Sequence, residues 1–240
     1  MRVKATIAYD GSYFKGFQKQ KSTKQTITSE IESALRSVGI HDDIRGSGRT
    51  DAGVHATGQV IDFEVPKFWK DLNRLKTALN RKLKHISFKH LCFVDEDFHS
   101  RFSAKKRVYR YVFKISQPSV FEQNYISYFP SFDTQKLELA LKAFEGEHDF
   151  SNFIKIGSIT HTNVREIYKA YYRHHKGYHF IYFEANGFLR SQVRMMVAFA
   201  MQVATQEKSL LELEEQLYLH TRHSTKLAPP EGLYLARIVY

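Results

Sequence analysis

The sequence predicts an α+β fold, and three observations predict it. Strand-like alternation and helix-like spacing recur in turn, with strands before and after helices in both halves of the chain. Of its 240 residues 42% are hydrophobic, enough to fill the core of one large domain or two small lobes. No short-period repeat and no low-complexity linker interrupts the pattern.

The elements follow in order. Val3, Ala5 and Ile7 alternate with Lys4 and Thr6, which gives a first strand. Ile27, Ile31, Ala34, Leu35 and Val38 keep helical spacing, with Gly39 as the stop. Ile61, Phe63 and Val65 alternate with Asp62 and Glu64 in a strand from Gln59 to Val65. Leu72, Leu75, Leu79 and Leu83 mark a second helix after Asp71. Tyr109, Tyr111, Phe113 and Ile115 take one face of a strand; Val108, Arg110, Val112 and Lys114 take the other. Thr134 to Glu145 reads as a third helix with Leu137, Leu141 and Phe144 inward. Glu166 to Arg173 and Tyr178 to Ala185 read as a hairpin. Val193, Val197, Ala200 and Ala204 line a fourth helix, and a capping box from Ser209 to Glu212 opens a fifth. Leu233, Leu235, Arg237 and Val239 alternate in a last strand. The domain boundary is expected near Ala104, dividing 1–104 from 105–240.

Chemistry concentrates in one loop. Only 12 residues are Gly, and four of them, Gly46, Gly48, Gly53 and Gly58, fall between Arg45 and Gln59. Glycine permits positive φ and close backbone approach. The loop carries Arg49 and Asp51 two positions apart and leads directly into a strand, a common place for functional groups. It lacks the GxxxxGK[ST] and GxGxxG patterns of phosphate loops. A β-turn with a surface ion pair is the ordinary structural reading of such a segment.

The wording of the loop is far more specific than its glycines. Gly48 to Val60 resembles, without a gap, the GRTDAGVHATGQV active-site motif of the TruA family of tRNA pseudouridine synthases. Tyr9 to Gln18, completed by Gln20, is similar to that family's YDGxxFxGWQxQ. Phe98 to Ala104 with Arg107 to Tyr111 resembles FHARFxA…RxYxY, and Gly146 to Phe150 resembles its GxHDF turn. Asn186 to Arg194 resembles a GFLxxMVR helix start, and Ala228 to Leu235 a C-terminal APxxGLYL. Departures are Phe17 for Trp, Thr26-Ile27-Thr28 for a TVQ, Gln192 for Met and Ala198 for Gly; none touches Arg49, Asp51, Tyr109 or Arg194.

The resemblance implies two α/β lobes whose sheets join into one extended, mostly antiparallel sheet with helices on one side and a basic active-site cleft. It implies isomerisation of uridine to pseudouridine at positions 38, 39 and 40 of the tRNA anticodon stem-loop, by a cytoplasmic homodimer that grips tRNA across both subunits. The reaction breaks N1–C1′, rotates the base and joins C5 to C1′, so it calls for no redox change, group donor, cofactor or metal. Asp51 is the carboxylate of the matching motif, acting either at C1′ as nucleophile or on C2′ as base toward a glycal. Arg194 is expected to hold Asp51 ionised, since a nearby cation lowers a carboxylate pKa. Tyr109 is expected to pack on the flipped base or handle the C5 proton, although a buried strand tyrosine reads the same way in sequence. Arg49 is expected to enter the stack that the base leaves. His55 is read as structural, and Phe188 and Leu189 as packing beneath the site.

Charge agrees with an RNA partner. Lys plus Arg number 36 against 25 acidic residues, a net +11, and such a surface draws phosphates. Lys15, Lys19, Lys21 and Lys24 form one cluster, Arg81, Lys82 and Lys84 another, and Lys105, Lys106, Arg107 and Arg110 a third that is assigned to tRNA. The single Cys92 rules out an internal disulfide framework and a cysteine zinc site. His174-His175 and His220-x-x-His223 lack a Glu or Cys partner and read as surface histidines. No signal peptide and no apolar run of membrane-spanning length is visible. Two rival classes fit less well. A catalytically silent RNA-binding protein would have no need of Arg49, Asp51, Tyr109 and Arg194 together. A methyltransferase or zinc deaminase would show a nucleotide loop or an H-x-E with P-C-x-x-C.

Overall fold

The computed structural model describes residues 1–157 and 160–240. Along the chain run β1 (Arg2–Tyr9), α1 (Ile27–Arg36), β2 (Arg45–Gly46), β3 (His55–Glu64), α2 (Leu72–Asn80), β4 (Ile86–Val94), β5 (Lys106–Lys114), β6 (Ser127–Tyr128), α3 (Thr134–Ala143), β7 (Gly146–Asp149), β8 (Val164–His175), β9 (Tyr178–Ala185), α4 (Gln192–Ala204), α5 (Leu210–Leu217) and β10 (Leu233–Val239). The fold is α+β with mostly antiparallel strand pairing. It divides into two compact units, Met1–Lys105 with Tyr234–Tyr240, and Lys106–Leu233. The second unit therefore does not run on to 240 as expected from sequence. The last seven residues leave it because β10 pairs in parallel with β3, Tyr234 beside His55 and Leu235 beside Ala56.

In the first unit β1 lies between β3 and β4, antiparallel to both. Val3, Ala5, Ile7 and Tyr9 point into the core, as the alternation requires. Ile27, Ile31 and Leu35 of α1 and Leu75 and Leu79 of α2 are buried. Each helix opens on a capped turn: Thr26 Oγ1 accepts from the Ser29 N–H, and Asp71 accepts from Asn73 and Arg74. Leu83 is buried but lies beyond the end of α2. Sequence periodicity does not predict β4. Its burial alternates only to Phe88 and resumes at Leu91, because the pairing with β1 shifts register between Thr6 and Ile7.

In the second unit β9 lies between β5 and β8, and β7 adds to β8. Gly146 to Asp149, expected as a turn, is this short edge strand. The β8–β9 hairpin closes through Lys176 and Gly177, both at positive φ (50° and 79°), the two-residue turn that matches strand twist. Leu137, Leu141 and Phe144 are fully buried, whereas Ile115 lies past the end of β5 and is half exposed. The capping box of Ser209 and Glu212 is formed. In α4 every residue except Arg194 is buried.

One acid-sensitive tie holds the turn after β5. Glu122 accepts from the Ser119 N–H and hydroxyl, the Tyr178 hydroxyl and the Lys114 ammonium, which together lower its pKa from 4.5 to about 2. A depressed folded-state pKa stabilises above the unfolded value and loses that contribution as pH falls from about 4.5 toward 2. Glu122→Gln should therefore lower the melting temperature at pH 7 and converge with the parent near pH 2, as read by thermal melts across that range. Equal offsets at both pH values would contradict this assignment.

Candidate active site

The Arg45–Gln59 loop belongs to the first unit, and its presentation follows from an alternation of anchors. Ser47 Oγ sits 2.6 Å from Gln59 Oε1, and the Gln59 amide donates to the Gly48 carbonyl at 2.8 Å. Thr50 Oγ1 lies 2.8 Å from the Tyr9 hydroxyl. Ser47, Thr50, Gln59 and Tyr9 are buried. Between these anchors Arg49 is exposed and Asp51 is half-buried. The loop thus turns its small polar residues inward, where they are satisfied, and leaves the Arg and the Asp at the surface.

The first motif packs onto this loop. The Phe17 N–H donates to the Thr50 carbonyl at 3.1 Å, and the Gly53 N–H to the Phe14 carbonyl at 3.4 Å. Gly11 comes so close to the loop that a Cβ there would stand 2.1 Å from the Val54 carbonyl oxygen, a distance only glycine allows. The Gly11 N–H donates to His55 Nδ1 at 3.0 Å. His55 is 2% exposed and stacks on Tyr234 at 4.8 Å, so its position is structural. Phe17 keeps the place of an aromatic and is buried. Thr28, in the segment that departs from TVQ, donates its hydroxyl to the Phe17 carbonyl at 2.7 Å.

Beside the loop lies a buried charge. Strand alternation puts Asp62 on a polar face, yet it is fully buried. It accepts from Arg45 Nε at 2.8 Å, from the other arm of the same guanidinium, and from the Ser100 N–H at 2.8 Å. This fork fastens β2, the lip of the loop, onto β3 and the His99–Ser103 turn. Such a charge is tolerated inside a fold only when paired in this way.

The other expected site residues belong to the second unit, apart from Lys105, which ends the first. Tyr109 on β5 is 8% exposed and meets Phe188 edge-to-face at 5.1 Å. Leu189 beside it is buried. Arg194, near the start of α4, donates from Nε to the Ala228 carbonyl at 2.7 Å, and the Ala228 N–H returns a bond to the Arg194 carbonyl at 3.0 Å. The Tyr111 hydroxyl lies 2.7 Å from Ser127 Oγ and 3.0 Å from the Pro229 carbonyl, and burial raises its pKa well above the ordinary phenol value. The β5 and α4-start motifs are thereby both tied to Ala228-Pro229 within this unit. Gln192, which replaces Met, is fully buried and accepts the Leu189 N–H at 2.7 Å, taking up a donor at the uncapped start of α4. The basic run is partly committed: Lys106 Nζ lies 2.7 Å from Glu184, and Arg107 donates to the Asn186 carbonyl at 2.6 Å. Lys19 is likewise held by Glu32 and Asp43. His223 is bound to Glu215, and among the described residues no three His, Cys, Asp or Glu side chains gather as a metal site. Among the described residues no helix is long and apolar enough to cross a membrane.

A protein-family model described as tRNA pseudouridine synthase matches residues 5–103 and 140–240. The chain belongs to the tRNA pseudouridine synthase family. Among its relatives, the tRNA pseudouridine synthase A of Helicobacter hepaticus is 42% identical over 243 residues, spanning 99% of this chain and 98% of that protein. Those of Wolinella succinogenes (39% over 237 residues, 98% and 93%) and Campylobacter jejuni (37% over 242 residues, all of both) are similar. Coverage is near complete on both sides, so the likeness is between whole proteins. The Asp51 loop and Arg194 fall inside the family match, while Lys105 to Arg110 with Tyr109 fall between its two stretches.

Sequence alone assigns no role to the anchors Tyr9, Ser47, Thr50 and Gln59. The signal is present in the alternation of small polar residues with Arg49 and Asp51. It becomes legible only once β1 and β3 are known to lie side by side beneath the loop.

Proposed function

We propose that this chain isomerises uridine to pseudouridine in the anticodon stem-loop of tRNA, at positions 38, 39 and 40, as a cytoplasmic homodimer. The carrying observation is the anchored loop that presents Arg49 and Asp51 inside the family match over residues 5–103 and 140–240. In this reading the uridine leaves the helical stack, since a stacked base cannot be reached. Arg49 fills the space it vacates. The Asp51 carboxylate acts on the ribose, at C1′ or at C2′, while N1–C1′ breaks. Arg194 supplies positive charge to the reaction, and Tyr109 supports the base with its ring or moves the C5 proton through its hydroxyl. The net change lies within one nucleoside, N1–C1′ broken and C5–C1′ formed with a proton lost from C5 and one gained at N1, so the chemistry draws on these side chains and needs no cofactor. Mapping pseudouridine in tRNA from a strain lacking the protein tests the assignment. Unmodified uridine at positions 38–40, restored by the plasmid-borne gene, is the expected result; full modification in the deletion strain would overturn it.

The basic run adds affinity for phosphates. Removing one lysine–phosphate interaction should flatten the plot of log K against log salt by about 0.7–0.9. Because Lys106 is paired with Glu184, Lys105→Ala should flatten the slope more than Lys106→Ala, with the rate at saturating tRNA kept in both. Filter-binding titrations from low to high salt read this directly. An unchanged slope in both variants would remove the pair from the RNA surface.

A further inference from the structure

We infer that the Tyr9 hydroxyl is a positioning group for the reaction proposed above, acting through Thr50 on the two residues that flank it, Arg49 and Asp51. Tyr9 is the last residue of β1, and its ring is buried, 5% exposed. Burial raises its pKa far above the ordinary phenol range, so it remains a neutral hydroxyl at any working pH. Its oxygen meets Thr50 Oγ1 at 2.8 Å. The Gln59 amide, also fully buried, shares this interior and holds the Gly48 carbonyl at 2.8 Å. The loop is therefore pinned at 48 and at 50. The side chain of 49 is exposed and that of 51 half-buried, and the backbone is fixed on both flanks of Arg49. A side chain one peptide from a rigid anchor inherits the precision of that anchor, and about 1 Å of misplacement at a reacting group can cost on the order of 10²-fold in rate. Tyr9 and Thr50 are both interior and do not meet tRNA themselves, so the bond should bear on rate far more than on affinity.

The experiment is a two-residue cycle, Tyr9→Phe, Thr50→Val and the double variant, with Thr50→Ser as the variant that keeps the hydroxyl. Single-turnover tritium release from a tRNA transcript carrying 5-tritiated uridine gives the rate, and a binding titration with the same transcript gives the affinity. Both are run well below the melting temperature of each variant, so that folded protein is measured. The expected result is a fall in the single-turnover rate of about 10–100-fold in Tyr9→Phe and in Thr50→Val, with affinity within about threefold of the parent. The double variant should be no slower than the worse single, and Thr50→Ser should retain most of the rate. A parent protein without tritium release would sink the proposed reaction itself. An active parent with undiminished rates in Tyr9→Phe and Thr50→Val would sink only the positioning role. So would additive losses in the cycle, or losses that appear only in affinity or melting temperature. Should Tyr9→Phe fail to fold, Thr50→Val against Thr50→Ser reads the same bond from its other end.

Discussion

Asp51→Asn should abolish turnover while leaving the tRNA complex nearly as tight as before. The substitution removes the negative charge, and with it the carboxylate's strength as nucleophile or base, but scarcely alters shape. The loop that carries residue 51 is held by Gly48, Thr50 and the first motif, none of which depends on the Asp51 side chain for the bonds described. The backbone should therefore stay in place. A group that acts only on the reacting bonds contributes to the transition state and hardly to binding. A loss of about 10³-fold or more in the single-turnover rate is expected, with affinity changed by less than ~1.4 kcal/mol, about tenfold. Tritium release beside a binding titration measures both. A purified, folded Asp51→Asn protein with robust activity would remove the carboxylate from the chemistry.

The largest expected effect on stability lies at Asp62. Its carboxylate is completely buried and is shared by the Arg45 guanidinium and the Ser100 N–H, with Arg2 Nη1 3.9 Å away. Asp62→Ala leaves the Ser100 N–H without its acceptor and Arg45 without its counter-charge. Breaking one side of a buried pair costs about 3 kcal/mol, which in a chain of this size lowers the melting temperature by roughly 6–12 °C. The same change should loosen the lip of the Asp51 loop, because Arg45 and Gly46 pair with Asp62 and Ile61. Thermal melts and single-turnover rates at low temperature separate the two consequences. A melting temperature within about 2 °C of the parent would mean that Arg45 and Ser100 find other partners on their own.

What the sequence disclosed, and what it withheld, follows from how far each feature depends on distant residues. Local periodicity was enough for β1, α1, α3, the β8–β9 hairpin, α4 and the capped start of α5. In β1, α1 and α3 the buried residues repeat at the period of the element, α4 is buried at every residue except Arg194, the hairpin is marked by its Lys176-Gly177 turn, and the start of α5 by its capping box. It failed for β4, where a register shift breaks the alternation, and for the ownership of β10, since parallel pairing with β3 joins residues about 180 apart. The Asp51 loop stood out through its glycines and its wording. The burial of Asp62 did not, because an alternating strand reads Asp62 as solvent-facing until Arg45 is placed beside it. The anchors Tyr9 and Gln59 were hidden for the same reason: each is an ordinary strand residue until its neighbour across the sheet is known.

The most direct measurement is the reaction itself. Purified protein is mixed with tRNA transcript bearing 5-tritiated uridine, in buffer containing a metal chelator strong enough to strip transition metals. The tritium released is then compared with the pseudouridine recovered by nuclease digestion and mass spectrometry. Release should run in step with pseudouridine, at anticodon stem-loop uridines, with no added cofactor. Absence of pseudouridine, or pseudouridine only when a cofactor is supplied, would contradict the proposed reaction.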